Sequence, residues 1–145
     1  MKRLLYCLPL LTLLACGGGV DPEPEIAGTY EMTQYTTPGA NGIGTVTYNF
    51  PYTNPQNNQV YTGSVKIARN ADNRVGIVYI IGIQGRTPLS DSLNLSLRLG
   101  GGKFEMYDGA NRVGTIDETT FNYDSRTEIG TNTLQFSIKA KRAGM

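Results

Sequence analysis

The chain has 145 residues, with 13 Lys and Arg, 12 Asp and Glu, two Cys, no His and no Trp. The absence of His excludes Ser-His-Asp and Cys-His catalysis and His-containing zinc sites, and the balanced charge argues against a nucleic-acid-binding surface. We therefore expect a protein that is not an enzyme, carries no cofactor or metal, and has no nucleic-acid partner.

The first element is a short apolar leader. Three residues, Met-Lys-Arg, give a basic start, and Leu4 to Leu14 (LLYCLPLLTLL) is almost wholly apolar. This run is too short for a transmembrane helix, which needs about 20 residues. A basic start followed by an apolar core of this length is typical of a secretory signal peptide.

The leader ends in Leu13-Leu14-Ala15-Cys16, followed by Gly17. This ending resembles the lipobox of bacterial lipoproteins. The resemblance implies that residues 1–15 are removed, that Cys16 carries lipid, and that the membrane is a partner through this anchor. Gly17 stands where an Asp would signal retention, which implies the outer membrane of the cell envelope. Both the periplasmic and the surface face of that membrane are compatible with this motif. The alternative is an ordinary signal peptide in which Cys16 is an incidental thiol.

Residues 16–25 predict a flexible tether. Three glycines follow Cys16, and Pro22 and Pro24 oppose a helix. Each buried acyl CH₂ contributes roughly 0.8 kcal/mol to membrane binding, so more than one acyl chain gives stable attachment. The tether would hold the following domain off the lipid surface.

From residue 26 to residue 142 the pattern is apolar-polar alternation, which predicts strands. Eight strands are expected: Ile26 to Tyr35, Gly44 to Phe50, Gln59 to Arg69, Arg74 to Gln84, Ser92 to Leu99, Lys103 to Tyr107, Arg112 to Tyr123 and Thr133 to Lys141. Side chains of one parity should face a core. The expected inward set includes Gly28, Tyr30, Met32, Val46, Tyr48, Phe50, Tyr61, Val65, Ile67, Phe104 and Met106, with Leu95, Leu97, Phe136 and Ile138 fully buried.

The run from Arg74 to Gln84 is apolar on both faces, because Val78 and Ile80 stand opposite the inward set. Such a strand is usually covered on both sides. We keep two interpretations: a fully buried strand, or an interface for another molecule.

Eight antiparallel strands joined by short turns fit a closed up-and-down barrel or a two-sheet sandwich. The strand number favours the barrel, because closure removes exposed edges. Gly28-Thr29-Tyr30 near the first strand resembles the lipocalin motif, with Tyr30 in the place of tryptophan. That resemblance implies an aromatic at the barrel base under a basic residue, which Lys139, Lys141 or Arg142 would supply. Small exported lipoproteins of Bacteroidetes have a similar make-up.

The predicted barrel is compatible with two functions. The first is a binding module for a small apolar ligand, lined by aromatic side chains with Tyr52 at the rim of the barrel. The lining candidates are Tyr30, Tyr48, Tyr61, Tyr79 and Phe104. The alternative is that these rings only fill the core, in which case a structural or interaction role with a protein partner is favoured. The ligand should be neutral because the inward positions carry no charge.

Two further stretches bear on chemistry. Asp117-Glu118 falls on a predicted strand, where neighbours point to opposite faces, so the two carboxylates make a poor acid/base pair. Asp91-Ser92-Leu93 resembles the signal for O-glycosylation in Bacteroidetes, which implies a sugar on Ser92.

Overall fold

A computed structural model describes residues 23–39, 42, 44–70, 73–130 and 132–144. The strands are β1 (Gly28–Pro38), β2 (Thr45–Asn49), β3 (Tyr52–Thr53), β4 (Val60–Asn70), β5 (Arg74–Ile83), β6 (Leu89–Gly100), β7 (Lys103–Asp108), β8 (Asn111–Ile116), β9 (Thr120–Ile129) and β10 (Asn132–Arg142). Within these described ranges there is no α-helix. The domain is therefore all-β, as the alternation predicts.

Eight of these strands close into a barrel. β4 to β10 follow one another as antiparallel neighbours, β10 pairs with β1, and β1 pairs back with β4. Every neighbouring pair is antiparallel, so the topology is up-and-down. The predicted barrel is confirmed over the two-sheet sandwich, and the architecture is consistent with a lipocalin-like fold.

The strands that make up the barrel differ from those expected. The predicted strand Gly44 to Phe50 is β2, which pairs with β1 outside the closed ring. Val46 was expected to be buried, but it is 39% exposed. This prediction was wrong because alternation alone does not show whether a strand belongs to the ring or lies at its edge.

The predicted long strand Arg112 to Tyr123 spans two strands, β8 and the first four residues of β9. The rest of β9, residues 124–129, was not predicted as a strand. Asp117 and Glu118 lie in the turn between them, not on a strand. The Asp117 carboxylate accepts backbone hydrogen bonds from Thr119 (2.8 Å) and Thr120 (2.7 Å), and both threonine hydroxyls donate to it as well. This side chain closes a turn that contains no Gly or Pro.

The barrel has two different ends. At the base lie the starts of β1, β5, β7 and β9 and the ends of β4, β6, β8 and β10; the opposite ends of these strands lie at the mouth. The core fills the barrel. Its largest fully buried side chains are Tyr30, Phe104, Phe121, Ile26, Ile77, Met106, Ile116, Ile138, Val65 and Val75.

Most of the predicted core is confirmed. Leu95 and Leu97 are each 4% exposed, and Ile138 is fully buried. Phe136 is only partly buried, because it packs against the core in the half of β10 nearer the mouth. Gly28 was also expected inside but is exposed at the beginning of β1.

A β-bulge in β1 changes which residues face inward. The pairing of β1 with β10 shifts between Met32 and Gln34. Tyr30 and Met32 are buried below this point, whereas Tyr35 packs against the core above it. One extra residue reverses the facing of every residue beyond it. The bulge therefore brings the Tyr35 ring to the mouth side of the interior.

The outer face of β5 is not fully buried. Val78 is 40% exposed and Ile80 is half-buried. The interpretation of this strand as fully buried is therefore wrong for Val78.

Candidate functional site

The base of the barrel is closed by Tyr30 and Arg142. The Tyr30 hydroxyl donates to the Asp117 carbonyl oxygen at 2.8 Å, and its ring lies 5.7 Å from the Arg142 guanidinium carbon. Burial raises the pKa of the Tyr30 hydroxyl above its ordinary value. Of the three basic residues considered from the sequence, Arg142 is the one that covers the aromatic.

Arg142, at the end of β10, also binds three backbone carbonyl groups from two segments at the base. It donates hydrogen bonds to the carbonyl oxygens of Glu25 (2.6 Å), Ala27 (2.7 Å) and Glu118 (3.3 Å). A guanidinium group can do this because its donors form a rigid planar fork. The N-terminal segment is thereby fixed against the β8–β9 turn, and the base is sealed.

Gly28 allows this arrangement. Its φ is +139°, a region that side-chain-bearing residues rarely adopt, and a Cβ there would lie 3.2 Å from Arg142 Nη2. Local geometry thus explains why the first residue of the Gly28-Thr29-Tyr30 motif is a glycine. This glycine lets the chain turn into β1 beneath the Arg142 side chain.

Above the base, aromatic rings occupy the interior. Phe104 is 1% exposed, and Phe136 is packed by Tyr35, Tyr79 and Tyr123 with centroid distances of 5.4, 5.5 and 5.7 Å. Tyr30, Phe104 and Tyr79, three of the predicted ligand-lining residues, therefore lie in or against the packed core. None of them lines the cavity at the mouth.

That cavity has a volume of about 290 Å³. Among the described residues, nine side chains line it: Tyr35, Tyr48, Phe50, Tyr52, Asn54, Tyr61, Ile81, Ile83 and Leu89. Tyr48, Tyr52 and Tyr61 were predicted from the sequence, and the structure brings all three together. We call this cavity the mouth pocket.

The mouth pocket lies where β1 and β4 part. The two strands pair over four positions at the base, ending at Glu31 with Ser64. Beyond that point β2 pairs with β1, and β3 pairs with β4. We call this opening the β1–β4 seam. Its two edges belong to β1 and β4. They are flanked by β2 and β3, whose pairing satisfies most of the backbone groups at these edges.

Aromatic rings bridge the β1–β4 seam. Tyr48 on β2 meets Tyr52 on β3 edge-to-face at 5.2 Å, and Tyr52 meets Tyr61 on β4 at 5.7 Å. Tyr35 on β1 connects the mouth pocket to the core through Phe50 at 6.4 Å and Phe136. Ring pairs at these separations attract one another beyond simple burial of area. The mouth pocket is thus a shallow cavity whose walls are formed by rings in mutual contact, and packed rings lie beneath it.

The electrostatics of the mouth pocket suit a neutral molecule. Every described side chain that lines it is uncharged. Burial, more than any neighbouring group, raises the pKa of the Tyr35 hydroxyl. Below it, burial followed by the nearby Asp91 raises the pKa of Tyr79, whose hydroxyl lies 3.2 Å from Asp91 Oδ2. A charged ligand would lose hydration here without gaining a counter-ion.

Some lining residues were not predicted from the sequence. Tyr35 was missed because the bulge after Met32 reverses its facing. Ile81, Ile83 and Leu89 were missed as ligand contacts because they look like ordinary strand residues, and Asn54 carries no pattern of its own. The pairing of the strands is needed to show that these residues come together.

Other predicted sites are located as follows. Ser92 is exposed on β6, so a sugar there has access from solvent, and its presence stays a prediction that an intact-mass measurement tests. Cys16 and the leader lie outside the described residues. The described part of the chain contains no cluster of three or more His, Cys, Asp or Glu side chains arranged for a metal ion.

No helix among the described residues is both long and apolar enough to span a membrane. Comparisons of the chain with protein-family models, with curated proteins and with solved structures give no match.

Proposed function

We propose that the protein is a lipid-anchored binding module of the bacterial outer membrane. In this proposal the lipid on Cys16 holds the chain at the membrane, and the mouth pocket takes a small neutral apolar ligand. The observation that carries the binding function is the mouth pocket itself, an uncharged aromatic cavity at the open end of a barrel whose base is sealed.

The position of the N-terminal segment supports this arrangement. Glu23 pairs with Arg69, on β4 next to the β4–β5 turn, at 2.5 Å, and residues 25–27 run under Arg142 at the base. A tether that enters at the base directs the mouth away from the anchoring membrane. The mouth pocket then opens toward the surrounding compartment.

The anchor is tested by fractionation. Cys16→Ser should release the protein into the soluble fraction or leave the leader uncut, because the lipidated thiol is gone. Radiolabelled fatty acid should label the wild type and not the variant. A Cys16→Ser protein that fractionates and migrates like wild type would contradict the lipid anchor without bearing on the mouth pocket.

Ligand binding is tested with the full chain carrying Cys16→Ser, so that no covalent lipid competes. The probe is N-phenyl-1-naphthylamine, a neutral apolar fluorophore, and the chain contains no Trp to interfere. Decanol should displace the probe more effectively than decanoate, because a carboxylate finds no partner among the lining residues. Absence of saturable probe binding, or equal displacement by both compounds, would contradict the proposal.

The barrel offers a matched pair of variants for this assay. Leu89 and Leu99 lie near opposite ends of β6 and are 60% and 50% exposed, but only Leu89 lines the mouth pocket. Leu89→Asp should weaken probe binding about tenfold or more, because it places a charge beside the apolar ligand. Leu99→Asp should leave binding unchanged. Equal effects of the two changes would show that the probe binds elsewhere.

An interaction role for the outer wall is the second candidate, supported by the exposed Val78 on β5. Val78→Lys separates the two functions. This change should abolish association with a protein partner, as measured by cross-linking in the native host, while leaving binding of the apolar probe intact.

A further inference from the structure

The barrel wall also parts between β8 and β9. These strands pair at only three positions, from Ile116 with Phe121 to Gly114 with Tyr123. β9 nevertheless continues to Ile129, paired with β10 along its other side. We call the opening above Gly114 the β8–β9 seam.

The backbone of β9 presents to this seam hydrogen-bonding groups with which no described strand pairs. The Thr120 carbonyl oxygen accepts the Asp117 N–H across the turn, so the backbone groups of Thr120 point toward β8. Alternate residues of an antiparallel strand point the same way. Asp124, Arg126 and Glu128 therefore direct their N–H and C=O groups to the side where no described strand pairs with them.

The seam opens into a large polar groove of about 1050 Å³. The groove runs over the outer face of β9, β10, β1 and β2 and reaches the β7–β8 hairpin. Besides hydroxyl and amide side chains, its walls carry the charged groups Asp108, Arg112, Asp124, Arg126 and Lys139. Thr36 and Ser137 in the groove are 6% and 8% exposed, so the surface is concave enough to shield small side chains.

We propose that an extended peptide binds in this groove by adding an antiparallel strand to the free edge of β9. An exposed edge gives affinity through main-chain hydrogen bonds, and neighbouring side chains give specificity. Residues 124–129 offer about 20 Å of edge at roughly 3.4 Å per residue. That length accommodates a strand of about six residues.

The groove chemistry favours a peptide over a sugar. Tyr123 is the only aromatic residue among the described groove residues, and it is just 6% exposed within the core. A sugar would find hydroxyl and amide partners here but, in the described part of the groove, no exposed ring to stack on. A peptide strand, by contrast, satisfies the open backbone groups of β9 as well.

The charges on β9 predict the sequence pattern of the peptide. Asp124 and Arg126 lie two residues apart, and their side chains contact each other at 3.1 Å on the outer face. Opposite charges directly across an antiparallel pair are favourable. A peptide residue opposite Arg126 should be acidic, and the residue two positions later, opposite Asp124, should be basic.

The test uses a phage-displayed library of random twelve-residue peptides against the full chain carrying Cys16→Ser. We expect enrichment of peptides with an acidic residue followed two positions later by a basic one. Amide hydrogen exchange with a synthetic enriched peptide should show slower exchange at Asp124, Arg126 and Glu128. Failure to enrich any peptide family, or slowing confined to other parts of the barrel, would overturn the proposal.

N-methylation of the peptide distinguishes strand addition from contact through side chains alone. Methylation at alternate amides that face β9 should weaken binding at least about tenfold, because each change removes a main-chain hydrogen bond. Methylation of the intervening amides is the matched control and should leave binding near its original value. Equal tolerance of both sets, or protection of the same β9 amides by an oligosaccharide panel and not by peptides, would contradict strand addition.

Discussion

The β1–β4 seam and the β8–β9 seam show two ways to treat the same break in a barrel wall. Each begins as a short antiparallel ladder at the base, four positions in one and three in the other, and opens toward the mouth. In the β1–β4 seam, β2 and β3 pair with the freed edges. In the β8–β9 seam, no described strand pairs with the freed edge of β9.

The side chains match this difference in backbone pairing. Where the edges are paired, the gap is bridged by tyrosine rings and forms an uncharged pocket. Where the edge of β9 is free, the surroundings are hydroxyls, amides and charges. An opened barrel can therefore present two kinds of surface, one apolar and one with hydrogen-bonding backbone at a strand edge.

The largest expected effect concerns the core on which both seams depend. Leu97→Ala should lower the free energy of unfolding by about 2–5 kcal/mol, because Leu97 is buried. Chemical denaturation measures the change. Leu99→Ala, two residues further along the same strand but 50% exposed, is the control and should cost less than about 0.5 kcal/mol. A similar loss of unfolding free energy in the two variants would contradict the register of β6.

The second effect concerns the base from which both seams open. Arg142→Met should lower stability by about 1.5–3 kcal/mol, since hydrogen bonds from a charged group to the carbonyls of Glu25 and Ala27 are lost. Lys141→Met, on the exposed side of the same strand, should change stability by about 0.5 kcal/mol or less. Near-equal melting temperatures would show that Arg142 does not hold the base together.

A third pair of variants compares the seams directly. Tyr52→Leu removes ring contacts with Tyr48 and Tyr61, each worth roughly 0.5–1.5 kcal/mol, and should speed amide exchange in β3 and the start of β4. Arg126→Ala removes an ion pair whose partners are 64% and 45% exposed, which is worth about 0–1 kcal/mol. If Arg126→Ala loosens the barrel more than Tyr52→Leu, our view of the two seams is wrong.

The sequence predicted the barrel but not its seams. Alternation identified the long strands other than β9, of which the predicted strand Arg112 to Tyr123 covers only the first four residues. The expected number of eight strands is correct because two errors cancel. β2 was counted as a wall strand, whereas β8 and β9 were counted as one. A strand's partners depend on contacts distant in sequence, such as that between Glu31 and Ser64, which periodicity does not report.

The candidate site was predicted in part for the same reason. Tyr48, Tyr52 and Tyr61 were found as aromatics on alternating or loop positions. Tyr35 was not, because a bulge has no marker in the sequence when its extra residue is an ordinary one such as Thr33. The β8–β9 seam was hidden by Asp117, whose carboxylate makes a tight turn where the sequence looks like a continuous strand.

The smallest expected effect concerns that turn, from which the β8–β9 seam opens. Partial burial raises the pKa of Asp117, but hydrogen bonds from Thr119 and Thr120 outweigh it and hold the pKa below the ordinary value of 3.8. A carboxyl whose pKa is lower in the folded state contributes stability above its unfolded pKa. That contribution declines as the pH falls through 3.8 and toward the folded value.

Asp117→Asn keeps one oxygen acceptor but removes the titration. The stability advantage of wild type over Asp117→Asn should therefore be constant near neutral pH and shrink as the pH is lowered below about 4. Glu118→Gln, at the exposed neighbouring position of the same turn, is the control. Urea unfolding at a series of pH values measures the difference. An advantage that grows as the pH falls, or one that Glu118→Gln reproduces, would show that the Asp117 carboxylate does not hold the two strands together at the start of the seam.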